Sequence, residues 1–146
     1  MAEYTGTLTI FAPAADVFGY LAQFTNAQEW DPGTKRATML TPGPLAVGSR
    51  FEVVAEALGR EIPLVYEISR YEPTRRVVFD VKGAHLEGVD DITVEGTENG
   101  TKMTYHAELR FTGWQSVANP LFGLAFQRVG DRALAGLRRS LVTSFT

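Results

Sequence analysis

Residues Leu121–Val142 read LFGLAFQRVGDRALAGLRRSLV, and their spacing decides what the rest of the chain must do. At about 100° per residue, Phe122, Gly123, Phe126, Gly130, Ala133, Leu134, Leu137 and Leu141 gather on one side of a helix. Arg128, Arg132, Ala135 and Arg139 fall opposite. A glycine inside a helix costs about 1 kcal/mol relative to alanine, so Gly123 and Gly130 on the inner face need a reason. Either a sheet approaches closely there, or the missing side chains leave space.

The residues before this helix supply something for it to cover. Tyr4–Phe11 alternates, with Leu8 and Ile10 on one face and Thr5, Thr7 and Thr9 on the other, which predicts a half-buried strand. Pro13 marks a helix start, Asp16 suits its first turn, and Val17, Phe18 and Leu21 give it an apolar face. Thr25 followed by Gln28 predicts a capping box for a second short helix, stopped by Asp31-Pro32-Gly33.

Six further strands are predicted near Lys35–Leu40, Arg50–Ala57, Glu61–Tyr71, Arg75–Gly83, Gly88–Glu95 and Thr101–Thr112. Turn chemistry separates them: Pro42-Gly43-Pro44, Leu58-Gly59, Glu72-Pro73-Thr74, Gly83-Ala84-His85 and Asn99-Gly100. Such short connections imply an antiparallel meander. Phe51, Val53 and Ala55 share a face, as do Leu64, Tyr66 and Ile68, then Val77, Phe79 and Val81, then Ile92 and Val94. Met103, Tyr105, Ala107, Leu109 and Phe111 continue it on the last strand, and the opposite face is charged or polar. An apolar sheet face must be covered, and only the C-terminal helix is long enough. The expected fold is α+β in one domain: a seven-stranded antiparallel sheet curled around a long C-terminal helix, with two short helices after the first strand.

Several motifs in this framework resemble the SRPBCC, or START-like, helix-grip superfamily in its polyketide cyclase/dehydrase-like branch. They are Ala12-Pro13 with Val17-Phe18, Trp30-Asp31-Pro32-Gly33, Val47-Gly48-Ser49-Arg50-Phe51, Tyr71-Glu72-Pro73, Gly100-Thr101-Lys102-Met103-Thr104 and the closing helix. START lipid-transfer domains and birch-pollen-allergen-type plant proteins share that fold. The resemblance implies a cavity between sheet and helix that takes an apolar or aromatic small molecule. It carries no invariant catalytic motif onto this chain, and fold does not fix function.

Composition narrows the function classes. With 146 residues, 45% hydrophobic and 21% charged, the chain has the profile of an ordinary globular domain. There is no cysteine, which excludes disulfides, thiolate metal sites and cysteine nucleophiles and fits a cytoplasmic setting. No signal peptide or membrane-spanning run is expected. A net charge of −3 argues against nucleic acid as a partner. No cofactor is implied, and no feature sets an oligomeric state. The glycines form neither a phosphate loop nor a dinucleotide fingerprint.

Candidate chemistry is sparse. The two histidines are separated: His106 alternates with Glu108 and Arg110 on the polar face, and His85 lies in a turn where a cavity mouth would be. No metal-ligand spacing is evident. Serines 49, 69, 116, 140 and 144 lack a nucleophile-elbow context. Tyr66 and Tyr105 share phase with core residues, so their hydroxyls either bond locally or orient a ligand. Asp90 is in phase with Ile92 and Val94, and a desolvated carboxyl there would have a raised pKa suited to a general base. Trp30 and Trp114 stand at element boundaries, as packing or as cavity rim.

Three readings follow. The first is a binding protein whose cavity is lined by Trp30, Phe51, Val53, Tyr66, Phe79, Ile92, Tyr105, Phe126, Gly130 and Ala133. The second is a polyketide cyclase/aromatase-type enzyme using the same cavity, with Tyr66, Tyr105, Asp90 and His85 as catalytic candidates. The third is a protein-interaction module with a vestigial cavity.

Overall fold

The computed structural model describes residues 2–57, 59–113 and 119–145, without the side chains of residues 57, 119–122 and 124. Trp114, Ser116 and the side chain of Phe122 therefore lie outside the described residues. Strand β1 (Ala2–Ile10) leads into helix α1 (Ala14–Ala22), a single 3-10 turn at Phe24–Asn26 and helix α2 (Ala27–Trp30). Strands β2 (Thr34–Met39), β3 (Arg50–Ala57), β4 (Arg60–Glu72), β5 (Arg76–Lys82), β6 (Leu86–Thr97) and β7 (Gly100–Phe111) follow. Helix α3 (Asn119–Phe145) completes the described chain.

The strands form one antiparallel sheet in the order β1-β7-β6-β5-β4-β3-β2. The meander from β2 to β7 pairs each strand with its neighbour in sequence, and β1 then joins the far side of β7. This is the curled sheet and long C-terminal helix expected from the alternation. The reason is visible in β1, where every second residue from Ala2 to Ile10 is buried. A tight β6–β7 turn makes the β1 pairing possible. Gly100 has φ +130°, and a Cβ there would stand 2.2 Å from the carbonyl oxygen of Ile10. Beside it the Thr101 hydroxyl donates to the Ala12 carbonyl at 2.6 Å, fixing the end of β1 against the start of β7.

One local reading is corrected. Thr25 and Gln28 do not form a capping box: the N-cap of α2 is Asn26, without a side-chain cap bond. The Thr25 hydroxyl accepts from the Gln23 side chain at the 3-10 turn, and the Gln28 side-chain oxygen accepts from the Ala37 N–H, which joins α2 to β2. On β4 the pairing shifts between Ile68 and Arg70. The extra residue restores the inward phase to Tyr71, whose ring meets Phe18 at 5.7 Å.

Helix α3 runs along β1 and crosses α2. Its Leu137 and Leu141 are fully buried and Phe126 nearly so, each worth about 1.5–3 kcal/mol of transfer free energy as an upper bound. Gln127 donates to the Glu3 carbonyl at 2.6 Å, and the Tyr4 hydroxyl donates to Asp131 at 2.9 Å. The glycines divide. A Cβ on Gly130 would stand 2.3 Å from Cδ2 of Tyr4, whereas one on Gly123 would meet nothing within 4 Å among the described residues. At Gly130, close approach, the first of the two alternatives, is therefore the explanation. A third glycine, Gly136, brings the helix against α2, with a Cβ position 2.0 Å from the Trp30 carbonyl oxygen.

Candidate functional site

The inner face of the sheet is paved with rings. Phe24, carried on the 3-10 turn, stacks on Tyr66 at 4.5 Å and meets Phe79 at 4.8 Å, Trp30 at 6.0 Å and Phe51 at 6.5 Å. Trp30 in turn meets Tyr105 edge-on at 5.9 Å. Such pairs contribute about 0.5–1.5 kcal/mol each beyond their buried area. Phe24 was missed by sequence reasoning because a turn of three residues offers no period to read. Its ring fills the middle of the interior.

Of the cavity-lining candidates, Phe51, Phe79 and Ile92 are fully sealed, and Trp30, Val53, Tyr105 and Phe126 are buried. Tyr66, Gly130 and Ala133 keep partial exposure. The buried apolar residues fall into two clusters. The larger surrounds Phe24, and a smaller one holds Leu64, Val81 and Leu86. Tyr66 and Leu109 pack against both, so Tyr66 stands at the seam.

Polar chemistry concentrates beside that seam. Asp90 lies inward on β6, directly opposite Ala107 on β7, and Tyr105 occupies the diagonal position. A diagonal Cβ separation of about 7–8 Å is within reach of a tyrosine. Its hydroxyl donates to Asp90 Oδ2 at 2.5 Å. Burial pushes the Asp90 carboxyl up to about 7, aided by the negative charge of Asp31 and opposed by the Tyr105 bond and His106. Burial and the Asp90 charge hold both Tyr105 and Tyr66 well above the usual phenol range, with Asp31 adding to each. The Tyr66 hydroxyl has no hydrogen-bond partner among the described residues. The structure thus brings Tyr66, Tyr105 and Asp90 together.

Asp31 belongs to the Trp30-Asp31-Pro32-Gly33 motif, and its reading from sequence is a helix stop without a part in the site. Its carboxylate accepts from the Gly33 N–H and from the Thr34 hydroxyl, both at 2.9 Å, and burial raises its pKa against those bonds. It also lines a polar groove of about 350 Å³ between α2 and α3, with Trp30, Thr34, Gly136, Arg139 and Ser140 among the walls. Asp31 therefore opens on that groove while its charge reaches the interior carboxyl. The motif marks Asp31 for structure, and its nearness to α3 is set by packing between distant segments.

The histidines stay apart from this cluster. His85 is exposed in the β5–β6 turn. His106 is on the outer face, with Nδ1 2.6 Å from the Thr5 hydroxyl. There the cross-strand register brings Glu3, His106 and Glu108 together, their ligand atoms within 4.8 Å of one another, a convergence the sequence spacing did not reveal. The set faces solvent, and solvation is a sufficient account of it.

A curled antiparallel sheet gripping a long C-terminal helix defines the helix-grip class. The chain belongs to the polyketide cyclase / dehydrase and lipid transport family, whose model matches residues 1–142. Solved structures agree on the fold. A protein of Thermus thermophilus superposes with TM-score 0.81 at 15% identity, covering 99% of both chains. A START superfamily protein from Mycobacterium smegmatis gives 0.75 at 13%, covering 99% of this chain and 97% of its own. The Zhui aromatase/cyclase from a Streptomyces species gives 0.75 at 12%, covering 97% and 92%. At these identities the likeness establishes the fold alone. Sequence comparison with curated proteins finds no match. Among the described residues no helix is long and apolar enough to cross a membrane.

Proposed function

We propose that this chain binds an apolar or aromatic small molecule at the seam between its two interior clusters, with Tyr66 as the orienting group. The observation that carries the reading is the Tyr66 hydroxyl, which is partnerless among the described residues, partly open and set among rings. Ligand sites of this kind are mostly apolar with a few convergent polar groups, and here those groups are Tyr66 and the Asp90–Tyr105 pair. Family membership supports the same class of ligand. Native mass spectrometry of the purified protein tests it. A retained apolar small molecule, lost or weakened in Tyr66→Phe, is expected. An unliganded protein that also fails to bind neutral aromatic probes would remove the reading.

A second reading, a cyclase-type enzyme, draws on one specific observation. Asp90 is buried, bonded to Tyr105 and held near pKa 7, the range in which a carboxyl exchanges protons at neutral pH. In that case Asp90→Asn would lower turnover of a polyketide-like substrate by about 10²–10⁴ while leaving its affinity unchanged. A pure binding protein shows no turnover to lose.

A further inference from the structure

Building on the binding reading, we propose that the interior selects uncharged ligands bearing a hydroxyl, and rejects carboxylates, phosphates and other anions of the same apolar shape. The argument begins with where the cations are. Every lysine, arginine and histidine of the chain is among the described residues, and none reaches the interior. All the lysines and arginines are exposed except Arg76, which is half-buried and bonded by two nitrogens to Asp91, one strand position after Asp90 and so on the opposite, outer face. His85 is exposed in its turn, and His106 is held by Thr5 on the outer face.

The charges near the seam are all acidic. Asp90 faces inward from β6, and Asp31 approaches from the end of α2. Tyr105 on β7 and Tyr66 on β4 are the neutral groups around them, and His106 acts on Asp90 only from the next position beyond Tyr105. Helix α3 brings Phe126, Ala133, Leu134, Leu137 and Leu141 to the main cluster, none of them charged. An anion brought into this interior sheds its water, finds no ion-pair partner and faces the Asp90 carboxyl, with the Asp31 charge also acting on it. A neutral hydroxyl fares differently. Tyr105 occupies Asp90 Oδ2, so Oδ1 and the Tyr66 oxygen are the acceptors at hand, and the Tyr66 O–H is a donor for a ligand carbonyl or hydroxyl oxygen.

The test uses two probes with the same rings, 2-naphthol and 2-naphthoate, titrated by calorimetry into the full chain. At about pH 8, 2-naphthol is expected to bind at least about tenfold more tightly than 2-naphthoate. The gap should narrow at about pH 5.5, where 2-naphthoate is still ionised and Asp90 is protonated, and it should narrow in Asp90→Asn at pH 8. Should Asp90→Asn fail to fold, the pH series on the unmodified protein and Tyr66→Phe, which should weaken 2-naphthol selectively, decide the matter. Equal or tighter binding of 2-naphthoate would overturn the selectivity while leaving the interior site standing. A gap unchanged by pH and by both substitutions reflects partitioning alone and would also overturn it. If neither probe binds, the underlying binding reading fails as well.

Discussion

Gly130 and Tyr4 meet backbone to ring, with the Cβ position of Gly130 within 2.3 to 2.6 Å of three ring carbons. The same tyrosine reaches past the glycine to Asp131, and burial together with that carboxylate pushes its pKa up to about 12. Tyr4 is thus fixed at both ends, its ring under the helix backbone and its hydroxyl on the next residue. This contact sets the distance between β1 and α3.

Substitution at this contact should cost stability. Gly130→Leu has no space to fill, so overpacking of about 1–3 kcal/mol or more is expected in chemical denaturation. Gly136→Ala should behave alike, because its methyl meets the Trp30 carbonyl rather than a movable side chain. Gly123→Ala should be neutral or stabilising by about 0.4–1 kcal/mol, since no described residue lies within 4 Å of its Cβ position. A stabilised Gly130→Leu would show that the helix is free to rise off β1.

The two inner tyrosines should separate on hydroxyl removal. Tyr105→Phe leaves a buried carboxyl without its donor and should cost about 1–3 kcal/mol. It should also raise the Asp90 pKa further, because that bond favours the ionised form. Tyr66→Phe breaks no described bond and should change stability by less than about 0.5 kcal/mol, while weakening ligand binding by roughly 0.5–1.5 kcal/mol. Thermal melts, carboxyl NMR titration and ligand titration of the two variants read all three effects.

Asp90 makes stability fall as pH rises. Its folded pKa of about 7 lies above the ordinary 3.8, so between those values the native state holds more protons than the unfolded one. The contribution is complete below about pH 4 and is lost as pH climbs through about 7. Asp31, shifted in the same direction, adds to the slope. Melting temperature should therefore fall between about pH 5 and 8, and Asp90→Asn should flatten the curve. A curve of equal slope in the variant would assign the effect elsewhere.

Deleting α3 should abolish cooperative unfolding, since Leu137 and Leu141 are fully buried and the inner sheet face would lose its cover. A fragment ending at Gly113 that still melts in one sharp transition would contradict the packing described.

Alternation made most of the sheet legible. Strand β3 falls on the predicted Arg50–Ala57, and the others differ by one or two residues at their ends. The inward phase of Asp90, Tyr66 and Tyr105 was readable because each sits two residues from an unmistakable core residue. Phe24 and Asp31 were not, since one stands on a 3-10 turn and the other just after a helix of four residues, where no periodicity accumulates. The proximity of Asp31 to Asp90 and of Glu3 to Glu108 depends on pairings between distant segments. Gly130 was singled out correctly as unusual, but helix spacing alone does not distinguish a close contact from a void.

The pairing of β1 with β7 also has a temporal side. Ala2 lies opposite Leu109, and the Tyr4 ring awaits Gly130. During synthesis β1 emerges before every other strand, yet its hydrogen-bonding partner is the seventh and its covering helix comes later still. At roughly 5–20 residues per second, β1 stays unpaired for several seconds while the meander assembles beside it. The bond from Tyr4 to Asp131 spans 127 positions, farther still than the β1–β7 pairing, and loop entropy must be overcome before such contacts reward it. The topology therefore predicts that β1 pairs late, after the meander that supplies its partner β7 has formed.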